Sequence, residues 1–593
     1  MLTIGKMRDN SATLPGEMEK VSAPAFASAA SCMNPARMQR KEAMTKTFEG
    51  RATNPELAQR YRAMGLWVDD TLTDVLDRGL LANPGQRYRI WSDDRPYDGT
   101  FADVRDKALR LAAGLRDMGV RPGDVISFQL PNWIEGVISF LATLYVGAVS
   151  LPIVQIYGSK EMRFVLRETQ ARVHITVDRF RHLDYRSNIE AMQPDLPALE
   201  RVLYIDQDFP GLLACEPLAG AVPVDPDSPV MLGYTSGTTS DPKGVIHTHR
   251  TTMAEMLQRR QVEPGDTRPL PLAPPEGFDR WLVGSPLGHV SGLQIGVFVP
   301  IMFDKPAHLI DKWDMDFVLD LLVREDLHVG AAANYFFNSL ITHPLFDAEK
   351  HIPHMRYILS GGAPVPRAFG EQCEAMGIKL IRGYGSTEHP SVTGSAFADP
   401  LDKRIGSDGR ALAGVEVQLR DEDGRLVDPG MPGEIWTRGP DLFVGYVNPA
   451  LNADAFDGDG WFCMGDVGVM DEDGFLTITD RTKDIIIRGG ENISALEVED
   501  AVARLVGVVE VAAVAAPDER MGEHVCVFLK LAEGASQPDL ATLRQHLAEV
   551  GLARQKWPEE IRIVDEFERT SSGKIKKFVL RDKLRAETLA TTG

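Results

Sequence analysis

Residues 234–244 read YTSGTTSDPKG, a run of five small hydroxyl residues, two glycines, a proline and a lysine. Such a run offers almost no apolar area, and its Ser, Thr and Asp side chains compete with the backbone for hydrogen bonds, so it reads as a loop. The apolar segment VMLGY precedes it with the texture of a strand, and VIHTHRTTMAEML follows with a pattern compatible with a helix. A loop of glycines and hydroxyls between strand and helix is a cradle for phosphate, because free N–H groups and hydroxyls donate and Lys243 supplies charge. It is not a Walker-type loop: Pro242 stands where that motif needs its second glycine, and Gly244 follows the lysine in place of Ser or Thr. A surface loop without a ligand is the alternative for this segment taken alone, so the rest of the chain must decide.

Outward from this loop, from about residue 100, short apolar runs (DVISFQL, VHITV, RVLYI, MRYIL) alternate with longer helical patterns. That alternation predicts α/β layers with largely parallel sheets. Over 405–480 the turns DEDGRL, DPGMPGE, DGDGW and DEDGF separate short strands such as GVEVQLR and GEIWTRG, which predicts a small antiparallel sheet or β-barrel. Beyond 482, SALEVEDAVARL and LATLRQHLAEV read as helices and VVEVAAVAAP and HVCVFLKL as strands, a small α+β domain. Residues 136–159 carry no formal charge and are long enough to span a bilayer, but Gly147, Pro152 and Gly158 break them. A buried helix to about residue 146 and a buried strand AVSLPIV are expected there, and no transmembrane segment.

The 593 residues hold 64 Lys and Arg against 85 Asp and Glu, a net charge of −21 that argues against broad adhesion to nucleic acid or anionic lipid. Cys32, Cys215, Cys373, Cys463 and Cys526 are scattered with no CxxC pair, so neither a zinc site nor a disulfide framework is indicated and a reducing cytoplasm fits. Residues 1–43 are polar and rich in Ser and Ala, with charges that interrupt any signal-peptide core, and are expected to form a disordered extension before Met44.

Four further segments bear on the opening loop. GYGSTE (383–388) repeats its logic, with Glu388 an oxygen ligand suited to Mg²⁺. DGWFCMGD (459–466) ends in Asp466, a carboxylate able to accept both hydroxyls of a ribose. TDRTKDIIIRGGENISALEVE (479–499) places Arg481 and Lys483 where the texture changes, and RTSSGKIKK (569–577) sets Lys574 after a Ser-Ser-Gly turn. Each alone also reads as a turn, a helix cap or a solvated basic tail. Together, in this order, they resemble the acyl-adenylate-forming superfamily, the AMP-dependent synthetases and ligases, over about residues 60–585. Three positions depart from the usual pattern: Ser240 for Gly, Met464 for Thr and Glu568 for Pro. None of them removes a charge that the chemistry needs.

The resemblance implies a large N-terminal adenylation domain over 44–480, of layered α/β subdomains plus a small β-barrel, and a small mobile α+β domain over 481–593. It implies that Thr235, Ser236, Gly237, Thr238, Thr239 and Lys243 hold the β- and γ-phosphates of ATP, that Thr387 contacts the α-phosphate, and that Glu388 ligates Mg²⁺. Gly362, Ala363 and Pro364 of SGGAP, with Tyr384, would flank adenine; Asp466 and Arg481 would bind ribose; Lys483 matches the hinge. Lys574 resembles the lysine that reaches the substrate carboxylate and the α-phosphate. Gly489 and Gly490 of RGGENIS would line the pantetheine tunnel of coenzyme A, and His289 of PLGHVSGL would lie between acid pocket and thiol entry.

The chemistry accounts for these residue types. A carboxylate expels oxygen poorly, whereas its mixed anhydride with AMP carries a good leaving group. The carboxylate attacks the α-phosphorus as pyrophosphate departs, so catalysis is mostly positioning and charge neutralisation. No general base is needed, since the acid is already ionised at neutral pH. No carrier domain is recognisable after Lys574, which favours coenzyme A as acceptor; delivery of acyl-AMP to a separate carrier protein, or a non-catalytic nucleotide-binding relative, are the alternatives. By resemblance the acid pocket draws on His289, AAANYFF (331–337) and HPSV (389–392), which suggests an acid with an apolar body: medium-chain, alicyclic or aryl, as in fatty-acid and cyclohexanecarboxylate synthetases.

Overall fold

The computed structural model describes residues 48, 50–235, 242–258, 280–481, 484–489, 491–518, 520–570 and 573–592. A seven-stranded sheet is built on Val125–Gln129, every residue of which is buried. Val149–Pro152 and Val173–Thr176 flank it in parallel, with Arg201–Tyr204 and Pro229–Thr235 parallel beyond them. Apolar runs buried on both faces are what a parallel sheet covered by helices requires. The uncharged stretch resolves as expected into the helix Ile134–Tyr145 and the strand Val149–Pro152. Among the described residues no helix is long and apolar enough to cross a membrane.

One expectation is corrected. Lys243–Thr248 is a strand antiparallel to Pro229–Thr235, and the helix begins only at His249. The opening loop therefore closes a hairpin and does not lead from strand to helix. Val245 and Ile246 pair with Gly233 and Leu232, and the strand also pairs with Gly445–Tyr446. Sheet pairing thus overrides the local helical pattern.

A five-stranded sheet carries the parallel strands Ala331–Ala332, Tyr357–Gly361 and Lys379–Tyr384. The turn-rich region folds into an antiparallel meander of Glu416–Arg420, Pro432–Arg438, Phe462–Met470 and Leu476–Arg481. Its Asp-Gly turns close in one way: the carboxylate at the turn's start accepts backbone N–H groups two and four residues on. Asp421 does so from Asp423 (3.0 Å) and Arg425 (2.8 Å), and Asp471 from Asp473 (3.0 Å) and Phe475 (2.9 Å). After the meander come a sheet centred on Val508–Asp518 and Gly522–Leu531, the helices Ala495–Val502 and Leu540–Glu549, and a last helix, Lys577–Thr592.

Candidate active site

Register brings the ends of the hairpin together, with Lys243 opposite Thr235. Ser236, Gly237, Thr238 and Thr239 lie outside the described residues. Gly233, two residues before Thr235, lies against the second loop so closely that a Cβ there would be 2.7 Å from Thr387 Cγ2. A second contact fixes the same residue: the Thr387 carbonyl accepts a hydrogen bond from His247 Nε2 at 2.7 Å. A carbonyl only accepts, so Nε2 carries the proton. Burial lowers the His247 pKa and keeps that ring neutral.

Glu388 is buried, and its Oε1 accepts the Tyr446 hydroxyl at 3.0 Å. Burial, then Glu388, raises the Tyr446 pKa, so the phenol stays a donor. Lys243 Nζ lies 5.3 Å from the centre of the same ring, linking the hairpin mouth to Glu388. On the far side, Tyr384 donates to Asp466 Oδ2 at 2.6 Å, and Arg481 Nε meets Asp466 Oδ1 at 3.2 Å from the directly opposed position of the neighbouring strand. Gly361 pairs with Gly383, where a Cβ would come within 2.6 Å of the Gly383 carbonyl oxygen. Gly362, Ala363 and Pro364 thereby leave the carboxyl end of their strand beside Tyr384, the end at which open α/β sheets bind ligands.

Lys574 joins this group from the far end of the chain. Burial, then Arg481, pushes its pKa down to about 8, against the opposing pull of Asp466 and Glu388. Lys574 in turn adds to the burial that brings His289 down to about 4. One lysine thus lies within electrostatic reach of His289, Glu388, Asp466 and Arg481, residues read from four separate motifs.

Other residues are not gathered there. Gly489 donates its amide to Met521 at 2.8 Å, and the neighbouring Arg488 pairs with Glu559 at 2.5 Å, contacts internal to the C-terminal sheet. Gly490 and Lys483 lie outside the described residues; on the flank of Lys483, the Asp484 amide donates to the Arg481 carbonyl at 2.9 Å. His389 of HPSV turns into the interior, with Nδ1 2.8 Å from Thr437 Oγ1 and Nε2 3.1 Å from Asp441 Oδ1, so its side chain serves packing and not a pocket wall. Sequence reasoning missed Tyr446 and His247. The histidine had a signal, its place just after the hairpin lysine in KGVIHTH, whereas Tyr446 reaches Glu388 across 58 positions and had none.

A family model described as AMP-binding enzyme matches residues 81–447, and one described as AMP-binding enzyme C-terminal domain matches residues 497–574. The chain is 32% identical over 538 residues to the medium-chain fatty-acid–CoA ligase of Escherichia coli (strain K12), covering 89% of this chain and 93% of that protein. It is 31% identical over 507 residues to a 3-[(3aS,4S,7aS)-7a-methyl-1,5-dioxo-octahydro-1H-inden-4-yl]propanoyl:CoA ligase of Rhodococcus jostii (strain RHA1), covering 82% and 93%. The crystal structure of ATP-bound MatB from Rhodopseudomonas palustris is similar with a TM-score of 0.75 and 26% identity, over 87% of this chain and 99% of that one.

Proposed function

Because this chain belongs to the AMP-binding enzyme family, we propose that its site joins a carboxylic acid with an apolar body to coenzyme A. The chain is an AMP-forming acid–CoA ligase that uses ATP, Mg²⁺ and coenzyme A. The finer reading is a medium-chain, alicyclic or aryl acid. The observation that carries it is the aromatic wall beside Lys574, a lysine within electrostatic reach of Glu388, Asp466, Arg481 and His289. A Cβ at Gly573, next to Lys574, would lie 3.4 Å from Tyr335 and 3.6 Å from Phe336, and Phe336 packs edge-on against Trp313 at 5.3 Å.

In this reading the hairpin loop, with Thr235 and Lys243 at its mouth, holds the β- and γ-phosphates. Asp466 accepts the ribose hydroxyls with Arg481 alongside, and Tyr384 and 362–364 flank adenine. Glu388 fits a hard cation: it is a buried carboxylate with one oxygen engaged by a neutral phenol. Bound by Glu388, Mg²⁺ would neutralise phosphate charge. Lys574 draws the acid's carboxylate and the α-phosphate together, and that carboxylate attacks the α-phosphorus as pyrophosphate leaves. In the second half reaction the coenzyme A thiol displaces AMP, with Gly489 and Gly490 leaving room for the pantetheine arm. A reducing cytoplasm is the proposed compartment, supported by free thiols at Cys373, Cys463 and Cys526.

The test is a panel of acids in ATP–pyrophosphate exchange, followed by thioester formation with free coenzyme A. Exchange highest with medium-chain, alicyclic or aryl acids, and thioester with free coenzyme A, is expected. Exchange restricted to short or highly polar acids would reject the acid class, and exchange without thioester would turn the acceptor to a carrier protein.

A further inference from the structure

Lys574 closes a tight turn against Thr570, just above the bridge between Arg569 and Ile575. The turn is closed by the Thr570 amide to the Lys574 carbonyl (2.8 Å), the Lys574 amide to Thr570 Oγ1 (3.1 Å) and the Gly573 amide to the Thr570 carbonyl (2.9 Å). Gly573 adopts φ +86, a conformation open to glycine and strained for other residues. These bonds shape the turn and leave open where it points.

Arg569, at the base of the turn, supplies what is missing. Its NH1 donates to the Gly573 carbonyl at 3.0 Å, and its NH2 reaches both oxygens of Glu510 at 2.6 Å. The face of the same guanidinium lies 4.2 Å over the ring of Tyr335, the second residue of the helix Asn334–Ile341. The bonds to Gly573 and Glu510 stay within the C-terminal sheet and its turn. The stack on Tyr335 crosses to the part of the chain that carries the hairpin, Glu388 and His289. A planar cation can donate along its edge and stack on its face at once, which a lysine cannot. With its side chain only 13% exposed, the contact is shielded from water, where cation–ring attraction is strongest.

We propose that Arg569 is a positioning residue for acyl-AMP formation: stacked on Tyr335, it clamps the Lys574 turn against the acid-pocket wall and sets the lysine at the reacting atoms. The proposal rests on the ligase reading above. The clamp is assigned to the first half reaction, the step in which two anions must be brought together beside Lys574. Because the clamp bears on Tyr335, an acid that seats against that wall also steadies the lysine.

Single-turnover measurements at saturating acid and ATP test it. Arg569→Gln is expected to lower the rate of acyl-AMP formation by roughly tenfold to a hundredfold, the scale of a displacement of about 1 Å at the reacting atoms, with the KM for ATP unchanged. Thioester formation from supplied acyl-AMP keeps its rate. Tyr335→Leu gives the same selective loss, Tyr335→Phe, which keeps the ring, restores most of it, and the double variant Arg569→Gln/Tyr335→Leu is no slower than the worse single one. Equal loss in both half reactions, an undiminished rate in Tyr335→Leu, or multiplicative losses in the double variant would overturn the proposal. Amide hydrogen exchange of residues 569–576 needs no substrate: both single variants should speed it severalfold, and unchanged exchange in Tyr335→Leu also overturns the clamp. A wild-type chain that adenylates no acid would instead reject the ligase reading, with exchange still deciding whether Arg569 holds the turn.

Discussion

Burial makes the charge on Lys574 conditional on pH. With its pKa drawn from 10.5 down to about 8, the ammonium is present below that value and lost above it. The kcat/KM for ATP in the adenylation step, which reports the free enzyme, should therefore hold level below about pH 8 and fall above it. Lys574→Arg, which does not titrate, should abolish that alkaline fall even if its rate is lower. Stability runs with the opposite sign. The unfolded chain binds the extra proton between about pH 8 and 10.5, so this group's penalty on the fold is full below about 8 and disappears as pH rises through that window. Lys574→Ala should cut acyl-AMP formation by about 10² to 10³, the loss typical of one transition-state donor, while thioester formation from supplied acyl-AMP survives; equal loss in both steps would make the lysine structural. At this scale the sequence was legible wherever a charged or hydroxyl residue stood inside a compact motif, as Asp466, Arg481, Glu388 and Lys574 do. It was silent on Tyr446 and on the stacking of Arg569 over Tyr335, because an aromatic side chain reads as core until its partner, far along the chain, is known.

Among the elements, the hairpin shows where local pattern loses to pairing. VIHT was read toward a helix, yet six residues from Lys243 to Thr248 extend between Pro229–Thr235 and Gly445–Tyr446 because both neighbours offer unpaired backbone edges. The turn-rich region was legible for the converse reason, since Asp421 and Asp471 each close a turn with amides two and four residues away. The hairpin also fixes the second loop through Gly233, where a methyl group would meet Thr387 at 2.7 Å. Gly233→Ala should push the 385–388 loop outward and lower acyl-AMP formation by roughly a hundredfold, the cost of about 1 Å of misplacement, with little change in melting temperature. Pre-steady-state formation of acyl-AMP checks this; an unaltered rate would show that the Thr387 loop tolerates the shift.

For the whole molecule, one site has to hold pyrophosphate in place and then admit a thiol. Lys574 lies within electrostatic reach of Glu388, Asp466 and Arg481, whereas Gly489 makes its contacts with Met521 and its own sheet. We propose that each is presented in turn by rotation about backbone bonds near Lys483. Lys483→Pro, which fixes φ there and restricts the preceding residue, should impair thioester formation from acyl-AMP far more than adenylation, by tenfold or more. Single-turnover assays of the two steps decide it, and equal slowing of both, or of neither, would reject alternation. The sequence by itself determined the α/β class, the turn-rich antiparallel region and the compact motifs of charged and hydroxyl residues, because periodicity, turn residues and short-range hydrogen bonding are local. Only the tertiary structure decided that the strands on either side of the hydroxyl-rich loop pair as a hairpin, that His389 faces Asp441 in the interior, that Tyr446 meets Glu388, and that Arg569 stacks over Tyr335. Those are pairings between groups distant in sequence, fixed by how sheets and helices pack and not by any pattern along the chain.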